Sequence, residues 1–432
     1  MKLFNMIKQS IKNNILFKVT SANTLLVFIR MFFALCTQKV MAIVIGAEGI
    51  AFVGNFRNVV SFFEQFSILG TFNGLVKYVS EFKENKEELN KLFSTVFVLT
   101  IITSLFSFII LFFGADQLNG YIFGDSNNFD FLFKILAFVV PFMGISAILN
   151  GYLNGHSDYK TFTRATIFIV VISAVVLITI TITNGLNGSL LALSIIPLFQ
   201  FLSLFVIFIK KYKGYFKRID LALVYKNKLL SYSLMTLVVI LSINWVDIAI
   251  RNLIENTISI KDAGYWTAMT SISNTYMQFT AAIFPLYILP KYSKMTSSIE
   301  YRDEVFNIAK FLIPIFTFGL ILIFLLKNIV ILLLYTDEFL AISVFFKWQL
   351  LGDLVKLMAL IVTYIFLAKK QMVYFIFTEL LSVFLFYGLS QYFIDDYGTE
   401  GVVLAHFVRY LIYFAVVLFL LRHYFFGKPR AL

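Results

Sequence analysis

Long apolar stretches separated by short charged ones make up most of the chain. About twelve of them approach the ~20 residues that a helix needs to cross a bilayer. They run roughly over 22–46, 49–75, 92–113, 129–153, 163–184, 187–209, 229–252, 262–289, 306–326, 341–368, 371–393 and 400–424. A further run, Ile329 to Leu334, is too brief to cross and is expected at the outer interface. The pattern predicts an all-α polytopic membrane protein.

Six spans, a basic stretch and six more spans give the expected organisation. A cytoplasmic N-terminal segment (1–21) precedes an N-lobe (22–209). A basic cytoplasmic linker (210–228), a C-lobe (229–424) and a cytoplasmic tail (425–432) follow. An internal repeat supports two halves. The segment from Gly49, GIAFVGNFRNVVSFFEQF…LVKY, aligns with GYWTAMTSISNTYMQFTAAIFPLYILPKY from Gly264. Lys77–Tyr78 then meets Lys291–Tyr292 after a one-residue gap, while Arg57 meets Ile272 and Glu64 meets Phe279. Two parallel six-helix lobes about a central cavity are a transporter plan.

Charge sets the orientation. The 210–228 stretch carries Lys210, Lys211, Lys213, Lys217, Arg218, Lys226 and Lys228 against one acid, Asp220. The N-terminus, the 76–91 and 290–305 loops, Lys369–Lys370 and the C-terminal Arg422, Lys428 and Arg430 fall on the same side. The opposite side is richer in acids, among them Glu48, Asp116, Asp125, Glu255, Asp337, Glu338, Asp395, Asp396 and Glu400. Both termini are therefore expected in the cytoplasm. Residues 1–20 place Phe4, Ile7, Ile11 and Ile15 on one side, which fits an interfacial helix or a frayed basic tail.

Composition agrees with the class. Hydrophobic residues are 60% and charged residues 14% of 432, where a soluble domain holds about a quarter charged. The net charge of +12 does not indicate nucleic acid, because much of the excess sits in loops between apolar spans. The first span contains Arg30 and lacks a small-residue cleavage site after it, so no cleavable signal is expected. A single cysteine, Cys36, excludes an intrachain disulfide. His156, His406 and His423 are scattered, which argues against a metal cluster.

The informative residues are the charges within the spans. With the span-end residues Asp130, Arg164, Arg251, Asp262, Glu400 and Arg422 set aside, eight are basic (Arg30, Lys39, Arg57, Lys134, Lys310, Lys347, Lys356 and Arg409) and four acidic (Glu64, Asp247, Asp353 and Glu379). Such groups pair internally or face an aqueous cavity. Asp247 and Arg251 are spaced i, i+4, and Asp353 and Lys356 i, i+3, so each pair either neutralises itself or serves the cavity. Lys134, Lys310 and Lys347 lie near span ends and are expected to snorkel to the interface. Arg30, Lys39 and Arg57 lie on consecutive helices with one acid between them, Glu64. Arg57, Ser61 and Glu64 share a helical face. This basic excess points to an anion site, and a guanidinium fork suits phosphate. Ser271, Asn274 and Gln278 form one polar face and Gln349, Asp353 and Lys356 another; both read as cavity lining or as interhelical hydrogen bonding.

No GxxxxGKS/T loop, zinc motif or nucleophile elbow is present, so neither an enzyme nor a cofactor is indicated. Short outer loops argue against a glycan polymerase. Several stretches stand out in order and spacing. They are Gly46–Gly49 with Asn55-Phe56-Arg57, and Phe72-Asn73-Gly74 with Lys77-Tyr78-Val79. In the second half they are Ser271-Ile272-Ser273, Tyr276, Gln278-Phe279, Leu289-Pro290, Trp348-Gln349-Leu350, Gly352-Asp353 and Lys356. Together they resemble the Wzx-type flippases of the polysaccharide-exporter group, which serve O-antigen and enterobacterial common antigen synthesis. The resemblance spans nearly the whole chain, apart from an N-terminus longer by about a dozen residues.

The resemblance implies transfer of an undecaprenyl-pyrophosphate-linked oligosaccharide across the bacterial inner membrane by alternating access. A polysaccharide polymerase and a chain-length regulator are the implied partners, beside membrane lipids. Arg30, Lys39 and Arg57 would then bind pyrophosphate. Glu64, Asp247, Asp353 and Glu379 would gate or couple ions. Asn274, Gln278, Gln349, Lys356 and Arg409 would line a secondary cavity. A drug/cation antiporter of the same superfamily, with an acid-dominated cavity, and a lipid II flippase are the competing readings.

Overall fold

The computed structural model describes residues 15–124, 127–156, 158–211, 223–281 and 283–426. The expected interfacial helix over 1–20, most of the basic linker and the tail beyond 426 lie largely outside them. Among the described residues the chain is helical throughout, with no extended strand. In chain order the helices are α1 (Ile15–Ser67), α2 (Phe72–Phe82), α3 (Lys86–Phe113), α4 (Ala115–Phe123), α5 (Asp130–Gly155), α6 (Tyr159–Lys211) and α7 (Lys226–Thr257). Then follow α8 (Ile260–Ala281), a π-helical turn (Phe284–Ile288), α9 (Leu289–Lys294), α10 (Ser298–Leu325) and α11 (Lys327–Leu334). A 3-10 turn (Asp337–Val344), α12 (Phe346–Ala368), α13 (Met372–Leu420) and α14 (Arg422–Phe426) complete the chain.

Eight described segments are long and apolar enough to cross a membrane. Three of them are double. The helices α1, α6 and α13 each turn at a glycine with positive φ: Gly46 (φ 64°), Gly185 (φ 58°) and Gly398 (φ 58°). A Cβ would be strained there, and glycine carries none. Each therefore holds two crossings, and the less apolar α8 completes the twelve that the pattern predicts. Two boundaries differ from the expectation. The second crossing ends at Ser67, because Leu69 and Gly70 take positive φ before α2 begins. The eighth passes into a π turn at Pro285, whose missing N–H interrupts the α ladder. The short apolar run becomes α11, eight residues long.

The chain divides into two compact units, residues 1–40 with 60–237 and residues 41–59 with 238–432. Their elements repeat in order: α3 corresponds to α10, both 28 residues long. The short α4 corresponds to α11, α5 to α12, and the glycine-kinked α6 to the glycine-kinked α13.

In the first unit, Leu75, Phe93, Leu149, Tyr152, Phe208 and Leu229 form one apolar cluster. Gly144, Gly151 and Gly155 lie at i, i+7 and i+11 on α5. A Cβ on Gly151 would come within 2.6 Å of Leu75, and one on Gly155 within 2.5 Å of Val79. Tyr78 and Tyr225 close the cluster. Tyr225 donates its hydroxyl to Glu88. Burial, and then that carboxylate, push the phenol up to about 12, so it stays a donor at neutral pH.

In the second unit, Tyr292, Tyr301, Leu357, Ile361, Tyr413 and Val417 form the matching cluster. The Tyr292 and Tyr301 hydroxyls donate to the carbonyls of Ile361 (2.9 Å) and Val362 (2.7 Å). Gly264 sits so close to residue 47 that a Cβ would lie 1.9 Å from the Ala47 carbonyl oxygen.

Candidate functional site: a buried charge cluster in the second unit

The Asp353 carboxylate is fully buried. A charge in that position persists only when its lone pairs are filled. Here α8, α12 and α13 fill them. Oδ2 accepts from Ser273 Oγ (2.6 Å), from the Tyr276 hydroxyl and from Gln349 Nε2 (3.2 Å). Oδ1 faces His406 Nε2 at 3.1 Å. Gly352 makes room for the imidazole, since a Cβ there would stand 2.4 Å from His406 Cδ2.

The tautomer of His406 follows from its other neighbour. Arg409 Nη2 lies 3.1 Å from His406 Nδ1. A guanidinium can only donate, so Nδ1 accepts and the ring proton sits on Nε2, facing Asp353. The imidazole thus links a carboxylate to a guanidinium while staying neutral. Arg409 also covers Phe386 and Tyr410, with ring centroids 4.2 and 4.3 Å away, and Lys356 lies 5.7 Å from the Tyr410 centroid. Asp247 and Glu379 both lie within electrostatic reach of Arg409 and Lys356.

The segment 41–59 contributes a second focus. Arg251 is buried. It donates to Thr267 Oγ1 (2.9 Å), Asn55 Oδ1 (3.2 Å) and the carbonyl of Asp247 (3.3 Å), and it lies 5.3 Å from the Trp266 centroid. Gly54 permits this, because a Cβ there would meet Arg251 Nε at 2.8 Å.

The two helical spacings therefore do not close as carboxylate–cation pairs. Arg251 reaches the main chain of Asp247, and Asp353 takes His406 instead of Lys356. In this cluster three acidic side chains (Asp247, Asp353, Glu379) and three basic ones (Arg251, Lys356, Arg409) balance in number.

The other expected site residues lie outside that balance. Arg57 is exposed and sits within electrostatic range of Tyr335 and Arg251. Arg30 and Lys39 belong to the first unit, nine residues apart on α1 and so on opposite faces of the helix. Arg30 is exposed and Lys39 half-buried. Neither Arg30 nor Arg57 has a carboxylate partner among the described residues. Glu64 is exposed on the same helix as Arg57. Asn274 and Gln278 are exposed, and α8 presents Ser273 and Tyr276 to Asp353.

Ser273, Tyr276 and His406 entered no site in the sequence reading. The usable signal for His406 was its i, i+3 spacing to Arg409 within an apolar span. Among the snorkelling candidates, Lys134 pairs with Asp130 at 2.5 Å, and Lys347 lies over the Trp348 ring at 4.4 Å.

Solved structures share this fold. The chain superposes with a TM-score of 0.73 on an inward-facing multidrug resistance MATE family transporter of the MOP superfamily. Identity is 13%, over 91% of this chain and 95% of that one. It superposes with a TM-score of 0.70 on the lipid II flippase MurJ in an inward closed conformation, at 16% identity over 94% and 87%. The chain therefore shares the fold of these two transporters. Residues 50–344 match the polysaccharide biosynthesis protein family, and the chain belongs to it. The lipid III flippases of Escherichia coli (strain K12) and Shigella flexneri are each 26% identical over 401 residues, covering 92% of this chain and 95% of theirs.

Proposed function

We propose that this protein is a flippase for a polyprenyl-pyrophosphate-linked oligosaccharide, moving it from the cytoplasmic to the periplasmic leaflet of the bacterial inner membrane. The end-to-end similarity to the lipid III flippases carries the reading. Alternating access is the proposed cycle, with both termini cytoplasmic. A pyrophosphate bearing a hydrophilic glycan cannot enter hydrocarbon without charged partners. Arg57, Arg30 and Lys39 are each proposed as a candidate cationic contact for it, and among the described residues Arg57 and Arg30 have no carboxylate partner. Asp353 with His406, and the nearby Asp247 and Glu379, are the proposed gating or ion-coupling groups, with Glu64 a further candidate. A polymerase and a chain-length regulator would act on the delivered glycan.

The test uses purified protein in proteoliposomes loaded with a labelled lipid-linked oligosaccharide. An impermeant glycosidase reads how much glycan changes leaflet. Time-dependent transfer above that of protein-free vesicles is expected, and its absence sinks the proposal. Arg57→Ala should abolish transfer, with Arg57→Lys retaining part of it; wild-type rates in Arg57→Ala would remove that residue from the anion site.

A further inference from the structure

The second unit holds a cavity of about 520 Å³ that the charge cluster does not use. This falls within the ~300–1,000 Å³ of small-ligand sites. Its wall combines three carboxylates, Asp262, Asp395 and Glu400, with three aromatic rings, Tyr265, Phe345 and Tyr397. The turn at Gly398 brings Asp395, Tyr397 and Glu400 to one rim.

The carboxylates differ in how they are held. Asp262 accepts from Ser259 Oγ (2.6 Å) and Thr399 Oγ1 (3.2 Å). Glu400 accepts from Trp348 Nε1 at 2.9 Å. These contacts fix both groups and leave lone pairs open, since a carboxylate offers about four acceptor positions. Asp395 is exposed and has no hydrogen-bond or ion-pair partner among the described residues. Among the described residues no lysine or arginine lines the cavity. Lys261, next to Asp262 in sequence, is held by Glu338 at 2.8 Å and lies 5.9 Å from the Tyr265 ring centroid.

Acceptors without a cation disfavour phosphate and any acidic sugar. Fixed carboxylates accept well from hydroxyl and amide donors, and aromatic faces pack the apolar face of a pyranose ring. We infer that this cavity binds a neutral or N-acetylated sugar unit of the transported glycan and excludes uronic acids. The inference rests on the flippase reading for the source of the sugar, and it deepens that reading by assigning the saccharide end a site separate from the cationic residues.

The full chain in lipid nanodiscs is titrated with N,N′-diacetylchitobiose and, separately, with glucuronic acid. Saturation-transfer-difference NMR detects contact, and tryptophan fluorescence follows Trp348 beside Glu400. Saturable binding of diacetylchitobiose and none of glucuronic acid is expected. Asp395→Lys should weaken diacetylchitobiose about tenfold, as loss of a charge-assisted hydrogen bond implies, and should admit glucuronic acid. Such a reversal of preference cannot come from misfolding. Tyr397→Ala should weaken the disaccharide without admitting the acid.

Equal binding of both sugars, unchanged affinity in both variants, or a response to sodium or calcium alone overturns the inference. The proteoliposome assay runs in parallel. Transfer without sugar binding defeats the cavity and spares the flippase. Sugar binding with the predicted preference but no transfer defeats the flippase reading.

Discussion

Asp353 offers the sharpest test of the charge cluster. Replacing it with alanine strips the acceptor from four donors at once: Ser273, Tyr276, Gln349 and His406. An orphaned buried donor costs about 1–3 kcal/mol. The two hydroxyls can rotate toward main-chain carbonyls, but the Gln349 and His406 N–H groups are fixed by packing. Arg409 and Lys356 also lose a counter-charge, and breaking a buried ionic network costs about 3–5 kcal/mol. The expected loss for Asp353→Ala is therefore about 3–5 kcal/mol, read by SDS-titrated unfolding in mixed micelles with tryptophan fluorescence. Asp353→Asn separates structure from charge. It keeps an oxygen for His406, and the Ser273 and Tyr276 hydroxyls can turn to accept from the new amide. Its expected cost is about 1–2 kcal/mol, with transport nonetheless impaired if the carboxylate gates the cycle. A loss below about 0.5 kcal/mol for Asp353→Ala, or equal damage from the two substitutions, would refute the hydrogen-bond assignment.

Other substitutions probe the packing around the cluster. Gly264→Ala drives a Cβ into the Ala47 carbonyl; overpacking against main chain should cost about 3 kcal/mol or more, seen as a lower folded yield and melting temperature in detergent. Gly352→Ala presses on His406 and should cost about 1–3 kcal/mol, with transport lost at temperatures where the protein stays folded. In the first unit, Tyr225→Phe should cost about 1 kcal/mol, and adding Glu88→Gln should cost little more if the two share one interaction.

The architecture was legible because the signals that build it are local. The apolar runs break at 46–49, 184–187 and 393–400, and the positive-φ glycines Gly46, Gly185 and Gly398 fall at or within those breaks. Span length and a residue free of Cβ sufficed there. The site was less legible because its partners are distant in sequence. Asp353 and Lys356 share a helix, yet Asp353 bonds to His406; Arg251 bonds to Asn55, far away in the chain. Helical spacing ranks neighbours on one helix only, whereas buried polar groups are satisfied by whichever helix packs against them. Reading span 8 by periodicity selected Ser271, Asn274 and Gln278, while packing turned Ser273 and Tyr276 toward the carboxylate.

The two units repeat their elements but not this chemistry. The helix α5 holds the place in the first unit that α12 holds in the second. It buries Leu136, Val139, Val140 and Met143, and no charged side chain, where α12 buries Gln349 and Asp353. The fold therefore does not need a charge at this level, since one copy forms with an apolar helix. Burying ionised groups lowers stability unless each is paired, so a cluster confined to one copy is a cost that packing alone does not explain. Substitutions that preserve volume should then behave differently in the two units. Leu136→Met in α5 should change stability slightly and leave transport intact, whereas Gln349→Met in α12 should leave the fold standing and impair transport. Equal effects on transport would show that the asymmetry is incidental to function.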